Sequence, residues 1–103
     1  MYKQCYTDYV RRCLRFYSRN LVAPNFKTEV DSQNWLACHN VLKNYSERDR
    51  DILVYVYGEF DTTGDNVYAI ANKCQIHQNV IWTMMRECER EVAVERGLWY
   101  ESV

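Results

Sequence analysis

The sequence predicts an all-α protein, a compact bundle of about five helices containing a C-terminal helix-turn-helix. Three observations point there. Apolar residues recur at spacings of three and four along most of the chain, the periodicity of one helix face. Only Gly58, Gly64, Gly97 and Pro24 can punctuate the backbone cheaply, too few for the many turns of a sheet protein. Two amphipathic stripes also follow one another across "KCQIHQ" with almost nothing between them, and so tight a turn holds the second helix steeply against the first. At 103 residues the chain fits one domain. Residues 46–97 form the helix-turn-helix region in this reading, and residues 1–45 supply supporting helices.

The first helix is expected over residues 2–18, where Tyr2, Tyr6, Tyr9, Cys13 and Phe16 fall on one face with arginines beside or opposite it. Pro24 lacks an amide hydrogen and its ring disfavours helix continuation, so residues 20–30 are a connection. Asp31 or Ser32 can cap a second helix carrying Trp35, Cys38, Leu42 and Tyr45. The "SERD" at residues 46–49 resembles a capping box and opens a third helix with Ile52, Leu53 and Val56 as its stripe. Gly58 offers a left-handed stop. After the polar loop "EFDTTGDN", Asp65 or Asn66 can cap a fourth helix over residues 67–74, and a fifth runs from Gln78 to about Arg96 and ends at Gly97.

Hydrophobic residues make up 48% and aromatics 15% of the chain, enough for a large core and too much for disorder. The formal charge of −1 hides an uneven distribution. Residues 1–27 balance at +5, with six bases against Asp8 alone, and residues 28–71 balance at −5, with eight acids against three bases. The first helix, with its interleaved aromatics and arginines, can be read as a stacking and phosphate-binding surface. The simpler reading makes the aromatics core and the arginines a solvated face, paired with Glu47, Asp49 and Asp51 where the two helices pack. Five cysteines, no CxxC pair and no apolar run resembling a signal peptide predict free thiols and a cytoplasmic protein, and no stretch is apolar for long enough to span a membrane.

Chemistry-bearing motifs are few. Cys74 and His77 stand at Cys-x-x-His spacing without a second pair, so no metal is expected. Asp61 and Asp65 lack the alternating oxygen ligands of a cation loop, and turn and capping roles account for them. Neither His39 nor His77 pairs with a particular cysteine as nucleophile and base, and there is no glycine-rich phosphate loop. An enzyme is therefore not expected, nor any cofactor.

The last helix carries the signal. At 100° per residue, Ile81, Met85, Cys88 and Val92 cluster on a side that should be buried. The opposite side holds Asn79, Trp82, Thr83, Arg86 and Arg90, while Glu87, Glu89, Glu91 and Glu95 project toward the flanks or the core margin. An acid-free outer face is what a helix entering the major groove of double-stranded DNA requires. Gln78 and Asn79 would touch base edges, their amides being suited to adenine, and Arg86 and Arg90 would reach phosphate or guanine.

The stretch "YSERDRDILVYVYG…NVYAIANKCQIHQNVIWTMMRECEREVA" resembles the region-four helix-turn-helix of bacterial sigma factors and the short phage or mobile-element regulators related to them. The likeness lies in the Ser-capped "SERDRDIL" helix ending at a Tyr-Gly pair, the "IA" before the turn, the isoleucine after it, and "I…MRE.ER" in the last helix. It covers about half the chain. The resemblance implies a transcription regulator that reads promoter-like DNA through Gln78, Asn79, Trp82, Thr83 and Arg86, in a family that often also contacts RNA polymerase. The sequence departs from the family in three places: Gln75 stands where glycine is common, the loop before the fourth helix is longer, and Trp82 occupies a base-reading position. An exposed Trp is equally typical of a protein interface. That supports an alternative, a helical interaction module or phage-encoded inhibitor that binds a host nucleic-acid enzyme, using the acids of residues 47–65 as a docking patch.

Overall fold

Four of the five helices described, the first being the exception, begin where a side chain satisfies an amide group that a first turn leaves without a partner. In the computed structural model, which describes residues 6–98, five helices follow in order: α1 Thr7–Arg19, α2 Glu29–Leu42, α3 Glu47–Gly58, α4 Thr63–Cys74 and α5 Gln78–Glu95. Ser46 caps α3 as expected, its Oγ accepting from the Asp49 amide at 3.2 Å. Thr28 caps α2 in place of Asp31 or Ser32, and Thr62 caps α4 in place of Asp65 or Asn66. Both stretches hold several competent caps, and the hydroxyl that meets an amide three residues on takes the position. Asp31 and Asp65 supply those amides. Asn66 is buried instead, and its Nδ2 bridges the carbonyls of Val56, Glu59 and Asp61, tying the polar loop to the end of α3.

The core draws on all five helices: Val10 and Leu14 of α1, Cys38 and Leu42 of α2, Ile52, Leu53 and Val56 of α3, Val67, Ile70 and Ala71 of α4, and Ile81, Met85, Cys88 and Val92 of α5. α1 packs against α2, α3 and α5, whereas α4 packs against α3 and α5. The face expected for α1 is rotated. Val10, Cys13, Leu14 and Tyr17 point inward, and Tyr6, Tyr9 and Phe16 are half-buried at its edges; Tyr2 and Cys5 lie outside the described residues. Val10 and Leu14 fill the centre with Tyr17 beside them, while the rings of Tyr6, Tyr9 and Phe16 cover its rim. In α2 the helix ends at Leu42, so Tyr45 lies beyond it, and Trp35 is half-buried, stacked on His39 with its indole nitrogen donating to the Asn20 carbonyl at 2.9 Å.

Gly58 ends α3 without turning left-handed, since the chain leaves through Glu59 in an extended conformation. Its role is a close crossing. A Cβ at Gly58 would lie 3.1 Å from the Cβ of Ser18, tighter than an ordinary contact, so any larger residue would push α1 and α3 apart by a few tenths of an ångström. Arg19 then covers the exposed end of α3, Nε donating to the Gly58 carbonyl at 2.9 Å, with its guanidinium over the Phe60 ring. Of the bases of α1, Arg19 is therefore engaged by this helix end and Arg11 by Glu89 of α5, while Arg12 lies over the Tyr9 ring, in place of the pairing with Glu47, Asp49 and Asp51 that the sequence suggests.

The turn between α4 and α5 has three residues, Gln75, Ile76 and His77. Gln75 is left-handed (φ 58°), the Ile76 amide donates to the Ala71 carbonyl at 3.0 Å, and the Gln75 amide donates to Asn72 at 3.3 Å. This is a Schellman ending, with Ile76 half-buried against the core. The same pattern closes α5, where Gly97 (φ 74°) is left-handed and the Leu98 amide donates to Ala93. A Cβ at a left-handed position costs on the order of 1 kcal/mol, so Gln75→Gly is expected to stabilise the fold by about 0.5–1 kcal/mol. Urea unfolding checks this, and an unchanged or lower midpoint would show that Gln75 carries no strain. Cys13, Cys38 and Cys88 are buried, Cys74 is exposed, and all four are free thiols. No helix among the described residues is long and apolar enough to cross a membrane.

Candidate nucleic-acid interface

The Schellman turn releases the chain into an 18-residue helix whose first turn holds no acid. His77 caps it, its Nδ1 accepting from the Asn79 amide at 3.1 Å. Gln78 and Asn79 are exposed, and together with Asn72, Ile76 and His77 they line a cavity of about 440 Å³ over the turn. Thr83, Arg86 and Arg90 are also exposed, and Arg86 reaches back to donate to the Thr83 hydroxyl at 3.2 Å. Asn79, Thr83, Arg86 and Arg90 thus share one solvent-facing strip of α5, while Gln78 lies off that strip and is exposed because it opens the helix. Trp82 departs from that strip, being half-buried and packed against the core. It lies seven residues before Glu89 on the same side of the helix, the side that turns toward the body of the bundle.

The two margins of this strip differ in charge. On one, Glu87, Glu91 and Glu95 stand at successive four-residue steps and, with Asn40, Tyr45 and Asp49, line a cavity of about 600 Å³. Tyr45 donates to Glu91 Oε1 at 2.8 Å, and Asn40 donates to Glu95 Oε2 at 3.2 Å. Burial first, and then the neighbouring Cys88 and Glu91, push the Tyr45 phenol well above its ordinary range, so it remains a donor. On the other margin, Tyr6, Thr7 and Arg11 of the α1 end face Arg86, Glu89 and Arg90 across a cavity of about 430 Å³.

Glu89 is the feature the sequence reading places least well. It is 4% exposed, and its Oε2 accepts both Arg11 Nε at 2.8 Å and the Tyr57 hydroxyl at 2.6 Å. A buried carboxylate needs such partners, because its desolvation is otherwise uncompensated. Burial and the adjacent carboxylate raise the Tyr57 pKa, keeping the phenol protonated and donating. The signal available in the sequence was positional: Glu89 falls between the angles of Met85 and Ala93, both fully buried. Its partners, on α1 and α3, were not legible.

Among the described residues no three His, Cys, Asp or Glu side chains converge as a metal site. His77 serves as a cap, and His39 stacks on Trp35 and meets the Tyr17 hydroxyl at 3.3 Å. No protein-family model, curated protein or solved structure matches the chain.

Proposed function

We propose that the protein is a sequence-specific DNA-binding regulator of helix-turn-helix type, similar in design to sigma region four, with α5 as the helix that enters the major groove. The observation that carries this reading is the exposed strip Asn79, Thr83, Arg86 and Arg90, with Gln78 exposed at its start, on a helix that a three-residue turn joins to α4 and whose other side packs into the bundle. Amides at the first two positions suit adenine edges, and arginines further along suit guanine or phosphate. In this reading Trp82 supports the helix from behind rather than touching a base. RNA polymerase is a further partner on the same resemblance.

The test is duplex binding across a salt series after selection from a random pool. Arg86→Ala is expected to reduce the magnitude of the slope of log K against log salt by about 0.9 if it meets a phosphate, or to relax preference at one base pair if it reads guanine. Gln78→Ala or Asn79→Ala is expected to lose about 1–3 kcal/mol of discrimination at one base pair with the slope kept. Failure of the protein to select any sequence sinks the proposal.

A second reading, as an inhibitor or interaction module acting on a host protein, is favoured by one observation: the acidic margin of α5 joins Asp49 around the 600 Å³ cavity. A stoichiometric partner whose binding is lost on charge reversal of Glu87 and Glu91, with no duplex selected, would establish it.

A further inference from the structure

The charge asymmetry of the α5 strip says on which side a duplex backbone can lie. Its acidic margin faces α2 and α3, and a phosphate there would meet Glu87, Glu91 and Glu95. Its other margin faces the start of α1, where Arg11, Arg86 and Arg90 line one cavity with Glu87 and Glu89. We propose that this cleft between α1 and α5 seats one backbone phosphate of the bound duplex, with Arg11 as a phosphate contact held in place by the buried Glu89 and Tyr57. The inference rests on the DNA-reading proposal above and extends the interface to a helix outside the helix-turn-helix.

Three observations carry it. Arg11 and Arg86 line this cavity and not the acidic one, whereas Glu91, Glu95 and Asp49 line the acidic one and not this, so of the two margins this is the one that suits a phosphodiester. The Arg11 side chain is 34% exposed while Glu89 is 5% exposed, so the bond between them lies at the cavity floor and the arginine emerges from it. That bond uses Nε, one of five guanidinium N–H groups, and leaves the planar fork of Arg11 suited to a second oxyanion. Glu89 is a positioning residue here. It joins α5 to α1 through Arg11 and to α3 through Tyr57, so the arginine is ordered before the ligand arrives and little side-chain freedom remains to be lost on binding.

The test compares wild type, Glu89→Gln, and the double variant Arg11→Gln with Glu89→Gln, in which two amides replace the ion pair and no buried charge is left unpaired. Each binds the duplex selected by wild type over a salt series, with folding checked by thermal melting. Glu89→Gln should keep the wild-type slope, since the phosphate contact survives, and the Arg11 Nε–Hε signal of the free variant should move or broaden because the bond that orders the arginine is gone; an Arg11 signal unchanged in free Glu89→Gln would show that Glu89 does not position it. The double variant should have a slope about 0.9 smaller in magnitude than Glu89→Gln. The NMR signal of the wild-type Arg11 Nε–Hε group should also shift when duplex is added, a readout that stands even if the double variant does not fold. Equal slopes for the two variants, or an unmoved Arg11 signal, with Arg86→Ala still flattening the salt dependence, would overturn the cleft and leave the DNA reading intact. No duplex selected at any salt overturns both.

Discussion

Met85→Ala is expected to destabilise the protein by about 2–5 kcal/mol, and Ile81→Ala by a similar amount, because both side chains are fully buried. Truncation removes the transfer free energy of the lost methylenes and leaves a cavity that the surrounding helices fill only in part. Asn79→Ala, on the exposed strip of the same helix, should change stability by less than about 0.5 kcal/mol. Urea unfolding of the three variants measures the orientation of α5 directly. Equal midpoints would mean that the helix is rotated and that the strip proposed to face DNA is not the one exposed. Trp82→Ala should fall between these extremes, since its ring is packed against the core without being enclosed by it.

The second large effect is a loss of stability in alkali. Cys38 and Cys88 are fully buried, and desolvation pushes both thiols far above the ordinary value of 9.0. The cause at Cys88 is burial first, followed by the charges of Glu89 and Glu91. In the unfolded chain these thiols ionise near 9.0, whereas in the fold they keep their protons. Above that pH the unfolded state therefore binds fewer protons than the native state, and stability falls as pH rises. The contribution is fully present below about pH 9 and is lost progressively above it, at about 1.4 kcal/mol per pH unit for each thiol. Tyr57, also raised, adds to the fall once the pH passes its ordinary value of 10.0. Chemical unfolding at steps from pH 7.5 to 11 should show a plateau and then this descent, and Cys38→Ala should make it shallower. A flat profile through pH 10.5 would show that water reaches the thiols.

Much of the fold was legible because the relevant physics is local. A hydroxyl three residues before an amide caps a helix, and Ser46 could be identified from four residues of sequence. The buried side of α5 follows from its periodicity, since Ile81, Met85, Cys88 and Val92 lie within one arc whatever surrounds them. The stop at Gly97 is likewise set by the chain beside it, whereas the left-handed turn at Gln75 stands where the sequence offers no glycine. Much of the candidate strip was legible for the same reason: Asn79, Thr83, Arg86 and Arg90 share it once α5 is a helix with that buried arc, and Gln78 is exposed by its place at the helix start.

Tertiary structure decided what depends on distant partners. Gly58 looked like a stop and proved to be a crossing point, because Ser18 of another helix occupies the space its Cβ would need. Trp82 falls near the outer face on a helical projection, yet the bundle extends far enough around α5 to cover part of it. Glu89 is the clearest case. A carboxylate on a helix flank reads as solvated, and only the arrival of Arg11 from 78 residues away and Tyr57 from 32 residues away makes its burial stable. Periodicity determines which way a side chain points along its own helix, and the packing of the other helices determines whether water or a partner meets it there.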